Sequence, residues 1–222
     1  MRKRRAAAAA ITTLLCLLTA VPAVGHEGDS NFRSEIDAVH PRVPGVAFQV
    51  LNYDADMEAV VGDGHTLLIY GYEGEPFARI LGDGTVQKNQ RSPATYLNVD
   101  RYAESPVPEE ADPEAPPRWE TVDRSGVLRW HDHRMHYMAA GTPPQVRDES
   151  ERSKVFEYAI PLRIDGRGGA IEGTLTWVGP AEASKLPFLL AGVAVVVLAG
   201  VAVLVVRRRR GDGDERGDGE AW

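Results

Sequence analysis

Turn-bounded pairs of β-forming segments, no long helical periodicity before residue 186, and one charge-free run near the C-terminus predict a mainly β protein. The expected plan is an antiparallel β-sandwich of immunoglobulin or cupredoxin type, followed by one C-terminal transmembrane helix. Residues 46–53 open the domain with a run of β-formers. Segments 57–61 and 66–72 flank Gly62-Asp63-Gly64, and Asp-Gly supplies the positive φ of a tight hairpin turn, so a hairpin is expected there. Segments 77–81 and 85–88 repeat the pattern around Gly82-Asp83-Gly84. A third hairpin is expected where 118–122 and 127–130 enclose Asp123-Arg124-Ser125-Gly126. The fourth has 155–164 and 170–178 around Asp165-Gly166-Arg167-Gly168-Gly169. Between the second and third, residues 104–117 carry Pro106, Pro108, Pro113, Pro116 and Pro117, and proline donates nothing to a ladder, so this is an extended surface loop.

The two ends read as targeting segments. Arg2, Lys3, Arg4 and Arg5 followed by the apolar stretch 6–20 form a secretory signal, residues 1–25, with small residues permitting cleavage after Ala23 or Gly25. The second cut makes His26 the first residue of the mature chain. The single cysteine, Cys16, lies within the signal, so the mature domain, 26–185, is expected to hold no disulfide. Residues 186–206 are 21 without a charge, long enough at about 1.5 Å per residue to cross a hydrocarbon core of about 30 Å. Arg207, Arg208, Arg209 and Arg210 follow, and a basic cluster beside a span stays cytoplasmic, which places 26–185 outside the cell membrane and leaves 207–222 as a disordered cytoplasmic tail.

Composition narrows the function. From Glu27 to Lys185 there are 16 Lys and Arg against 27 Asp and Glu, a balance of −11, and such a surface excludes nucleic acid as a partner. The chain has no Gly-x-Ser-x-Gly elbow, no phosphate-binding glycine loop and no HExxH helix, so a non-catalytic role is expected. Glu73, Glu75 and Asp83 are read as hairpin charges, and His40 and His65 as structural.

The concentrated chemistry lies at Trp130-His131-Asp132-His133-Arg134-Met135-His136-Tyr137-Met138. On an extended strand His131 and His133 point to one face, where their imidazoles meet one ion; imidazole suits copper, zinc and nickel. His136 adds a third ring, and thioethers from Met135 and Met138 bias the site towards Cu(I). Asp132 is placed to fix a ring tautomer from behind. A mature N-terminus at His26 adds an amine and an imidazole on one residue, a chelate suited to square-planar Cu(II). A plainer reading stands beside this one: the histidines hydrogen-bond to carboxylates on a solvent-facing turn, while Met135 and Met138 pack with Trp130 and Tyr137.

The blocks Asn31-Phe32-Arg33-Ser34, Tyr70-Gly71-Tyr72-Glu73-Gly74-Glu75-Pro76, Trp119-Glu120-Thr121-Val122-Asp123-Arg124 and Trp130 to His136 resemble those of an uncharacterised family of actinobacterial exported, single-pass membrane proteins. The chain also resembles CopC-type copper-binding domains, small β-sandwiches whose mature chain begins with a metal-binding histidine; that resemblance implies ligand roles for His26, Asp132 and His133, although the family's opening His-Ala pair is absent. Two functions follow as expectations. One is a membrane-tethered, extracytoplasmic copper-binding module with ligands drawn from His26, His131, His133, Met135, His136 and Met138. The other is an envelope β-sandwich that binds a protein or cell-wall partner without metal, through aromatics such as Tyr70, Tyr72 and Tyr96.

Overall fold

The alternation of apolar and polar residues is realised as two antiparallel sheets. The structure is a computed structural model that describes residues 28–180 and 186–214. The expected signal, His26 and the last eight residues lie outside the described residues. The chain divides at Pro180 into two compact units.

The first unit contains β1 (Phe32–His40), β2 (Val46–Leu51), β3 (Asp56–Val61), β4 (Leu67–Tyr70), β5 (Pro76–Ile80), β6 (Val86–Asn89), α1 (Ala94–Leu97), β7 (Trp119–Asp123), β8 (Val127–Trp130), a 3₁₀ turn (His133–Met135), β9 (Ser153–Ile164) and β10 (Arg167–Trp177). Seven strands form one sheet in the order β1-β10-β9-β4-β5-β6-β7, and β2-β3-β8 form the other. Met57, Ala59 and Val61 of β3 with Leu128 and Trp130 of β8 join Leu67, Ile69, Phe77, Ile80, Leu162 and Ile164 of the larger sheet in one buried cluster. Burying the larger aliphatic and Phe side chains among these, each worth about 1.5–3 kcal/mol, is what holds the unit together without a disulfide. Phe32, Val155, Leu175 and Trp177 form a second, smaller cluster.

Two of the four expected hairpins are present. β5 and β6 pair through Ala78↔Lys88 and Ile80↔Val86, with Gly84 at φ 79° in the turn. β9 and β10 pair from Ile164↔Arg167, so their turn is only Asp165-Gly166, both at positive φ, and Gly168 and Gly169 already belong to the strand. The other two are corners between sheets. β3 pairs with β2 and β8, whereas β4 pairs with β5 and β9; β7 pairs with β6, whereas β8 pairs with β3. The reason lies in where the turn amides go. Gly62 donates to the Gly45 carbonyl, Gly64 to Gly82, and Gly126 to Gly84, so these turns bond to one another and the chain passes from sheet to sheet. A Cβ on Gly126 would lie 2.7 Å from the Val61 carbonyl oxygen, and its φ is 71°, so glycine is required at that crossing.

β1 has no counterpart in the sequence reading. Its Arg33, Glu35 and Asp37 are poor strand formers, yet it pairs along β10 from Phe32↔Trp177 to His40↔Ala170. Residues 104–117 carry no strand, as expected of the proline-rich loop.

The second unit contains α2 (Leu186–Asp214), one helix of 29 residues. Its side chains are described over 189–205, and among the described residues no helix is long and apolar enough to cross a membrane. The charge-free run read from the sequence takes in Leu186, Pro187, Phe188 and Val206 as well. The helix continues through Arg207-Arg208-Arg209-Arg210 to Asp214, into the segment expected to be a structureless tail; arginine is a good helix former and propagation adds residues cheaply to an existing helix.

Candidate metal centre

β8 ends at Trp130, so His131 and His133 do not share the face of a strand as the sequence suggested. A 3₁₀ turn brings them together instead. Asp132 is its N-cap, its carboxylate accepting from the Arg134 amide at 3.1 Å. The same carboxylate accepts from Trp130 Nε1 at 2.9 Å and from Arg134 Nε and Nη2 at 2.8 and 2.7 Å. Met135 is fully buried in the main core cluster and anchors the turn, and His136 resumes extended backbone on its far side. The turn and the extended backbone that follows it bring the His133 and His136 rings round to His131.

One ring nitrogen from each of His131, His133 and His136 lies within 4.8 Å of the others. Ring centroids are 4.4 Å apart for His131 and His136, 5.1 Å for His131 and His133, and 5.3 Å for His133 and His136. Each ring also sets one nitrogen against a backbone carbonyl. His131 Nδ1 meets the Ala55 oxygen, His133 Nε2 meets Asp100 O at 2.9 Å, and His136 Nδ1 meets Tyr137 O at 3.1 Å. A carbonyl only accepts, so all three of those nitrogens carry the proton and donate it. His131 Nε2, His136 Nε2 and His133 Nδ1 are left with lone pairs. Asp132, expected to fix a tautomer, makes no hydrogen bond to any of the three rings among the described residues; the three carbonyls do that work.

The consequence is electrostatic. His131 Nε2 and His136 Nε2 stand 2.8 Å apart, close enough to share a proton or one ion between them. Protons are poorly suited to the task. Burial, then the neighbouring His131 and Arg101 charges, pushes the His136 imidazole down to about 3, and burial also lowers His131. His131 and His136 therefore present neutral imidazoles near neutral pH, the form that binds metal ions.

Segments distant in sequence build the surroundings. Arg101 forms a bidentate pair with the fully buried Asp54 at 3.2 and 2.7 Å, joining the loop that carries the Asp100 carbonyl to the β2–β3 turn that carries the Ala55 carbonyl. Tyr72 stacks on His133 with centroids 5.8 Å apart, its hydroxyl accepting from the His133 amide at 3.0 Å and donating to Asn98 Oδ1. The Arg134 guanidinium lies 5.0 Å from the centre of the same Tyr72 ring. Tyr72, read from sequence as a candidate exposed aromatic, is thus part of the wall of the histidine cluster. Tyr96 is half-buried and donates its hydroxyl to Gln90 O at 3.1 Å, and Tyr70 is half-buried in β4.

No protein-family model matches the chain, and no curated protein or solved structure does. The geometry has to speak for the site.

Of the candidate ligands, His131, His133 and His136 converge. Met138 is 39% exposed, Met135 faces the core, and His26 lies outside the described residues. His65 stands elsewhere, bonded through Nδ1 to Asp165 Oδ2 at 2.9 Å. Ala55, Asp100 and Arg101 were not legible as site residues, since they contribute only backbone or a cation, and Tyr72 was expected in a partner-binding surface rather than beside the histidines.

Proposed function

We propose that this chain is a membrane-tethered, extracytoplasmic metal-binding module, without catalytic activity, whose ion is copper held by His131, His133 and His136. The observation that carries the reading is the set of three imidazole nitrogens within 4.8 Å, each ring held by a contact to a backbone carbonyl. Metal-bound histidines are held in this way, with the distal N–H on a carbonyl or carboxylate.

Imidazole nitrogens suit copper, zinc and nickel alike, and copper is the ion proposed. Among divalent ions copper binds nitrogen ligands most tightly. A three-nitrogen set needs no thioether, so Met135 and Met138 are spare.

The tether reading rests on residues 186–206 and the arginines after them. Apolar side chains of α2 stand uncovered from Leu189, 65% exposed, to Val205, 45% exposed, a continuous surface that lipid would cover. The sandwich reading rests on the single core cluster shared by the two sheets.

The test is direct. Full-chain protein in detergent, stripped with chelator and dialysed against Cu(II), is expected to retain one equivalent and to melt at a higher temperature through linkage. His131→Ala with His136→Ala is expected to abolish both. Undiminished binding in that variant would remove the three histidines as ligands.

A further inference from the structure

Leu67 and Ile69 of β4 point into the core, so Leu68 between them faces the opposite side of the seven-stranded sheet. In the register of that sheet Leu68 lies opposite Arg79 of β5 on one side and Arg163 of β9 on the other. Two strand spacings of about 4.8 Å separate the arginine backbones, with an apolar floor between them. A hollow of about 260 Å³ opens here, lined by Leu68, Arg79, Arg163, Pro76, Leu81 and Trp119 among others.

Both arginines are held or left without the partner that would ordinarily neutralise them. Arg79 donates through Nε to Gln87 Oε1 at 2.7 Å, Gln87 in turn donates to Thr121 Oγ1 at 3.1 Å, and the guanidinium lies 4.2 Å from the centre of the Trp119 ring. The Gln87 bond and the indole fix the plane of the guanidinium, and among the described residues its two terminal nitrogens make no hydrogen bond. Among the described residues neither Arg79 nor Arg163 has a carboxylate within ion-pair distance, although acidic residues outnumber basic ones by 27 to 16 over residues 27–185. A guanidinium fork matches a carboxylate in shape, two N–H groups to two oxygens. The hollow falls short of the roughly 300–1,000 Å³ that drug-sized ligands occupy, so its occupant is compact.

We infer that the outer face of the seven-stranded sheet carries a second binding site, for a small organic carboxylate with a flat apolar body, gripped by Arg79 and Arg163 and lying on Leu68 beside Trp119. The site shares no residue with the histidine cluster and stands or falls without it.

Benzoate is the probe, titrated into full-chain protein in detergent while the Trp119 indole N–H and the Arg79 and Arg163 Nε–H signals are followed by NMR. Saturable shifts of all three are expected, with benzyl alcohol and inorganic phosphate each binding at least tenfold more weakly. Arg163→Gln, at an exposed position, is expected to weaken benzoate at least tenfold with an unchanged melting temperature, and Arg79→Lys, which keeps the charge but loses the fork, to weaken it as much. Equal response to benzoate and benzyl alcohol, tighter binding of phosphate, or wild-type affinity in Arg163→Gln would overturn the assignment.

Discussion

Arg101 Nη2 lies 2.7 Å from Asp54 Oδ2, and this one ion pair ties together the two segments whose carbonyls, Asp100 and Ala55, orient His133 and His131. Asp54 is fully buried, and the Asp29 amide also donates to it at 2.8 Å. Removing one partner of such a pair leaves a charge without compensation at a cost of about 3–5 kcal/mol. Asp54→Ala is therefore expected to lower the stability of the domain by about that amount in urea unfolding. It is also expected to weaken metal binding more than its distance from the ligands suggests, because the two carbonyls lose their common anchor. A loss under about 1 kcal/mol would mean that the pair is no better than a surface one.

Stability without metal should depend on acid. His131 and His136 have folded-state pKa values below the roughly 6.5 of an unfolded histidine. The unfolded chain therefore takes up protons that the folded site refuses as pH falls below about 6.5, and stability is lost progressively from there towards about 3, the value for His136. Chelator-treated protein should melt at a clearly lower temperature near pH 5 than near pH 7.5. In His136→Gln, which has no such proton to refuse, that difference should shrink; an equal difference in the two proteins would assign the acid sensitivity to other groups.

Glycines at the sheet corners should not be equivalent. Gly64 and Gly126 both have positive φ, 83° and 71°, but a Cβ on Gly64 meets nothing within 4 Å whereas one on Gly126 meets the Val61 carbonyl oxygen at 2.7 Å. Alanine at 64 should cost about 1–2 kcal/mol for the left-handed backbone alone. Alanine at 126 should cost about 1–3 kcal/mol more, because the corner between β7 and β8 must open. Chemical denaturation of the two variants checks the order, and equal losses would show that the corner is slack.

The tether makes a prediction about partition. A chain ending at Pro180 keeps the whole first compact unit and lacks α2. Expressed with its N-terminal segment, it should appear outside the cell in soluble form, while the full chain sediments with membranes. Sedimentation of both would assign retention to something other than residues 186–206.

What could be read from sequence was what depends on local chemistry. Alternating apolar residues gave β3, β5, β8 and β9, and a glycine shortly after an aspartate marked every turn, because a positive φ has the same local cause whether the chain folds back or crosses over. That is also why two corners were mistaken for hairpins: the choice depends on whether the Gly62, Gly64 and Gly126 amides bond within their own turn or to Gly45, Gly82 and Gly84, which lie elsewhere in the chain. The charged β1 was invisible because its pairing with β10 is supplied by a partner more than a hundred residues away. The histidine cluster was found from residue type and spacing, but on the wrong local geometry, since nothing in the sequence distinguishes a continued strand from the 3₁₀ turn that the buried Met135 and the Asp132–Arg134 pair impose. The carbonyls of Ala55 and Asp100 carry no sequence signal at all, since every residue has one.

The central claim is that three imidazoles share one ion. Electron paramagnetic resonance of Cu(II)-loaded full-chain protein tests it most directly. Hyperfine coupling to three equatorial nitrogens is predicted, falling to two in His133→Ala and collapsing in the His131→Ala, His136→Ala variant. A spectrum without nitrogen coupling, or one that all these variants leave unchanged, would contradict it.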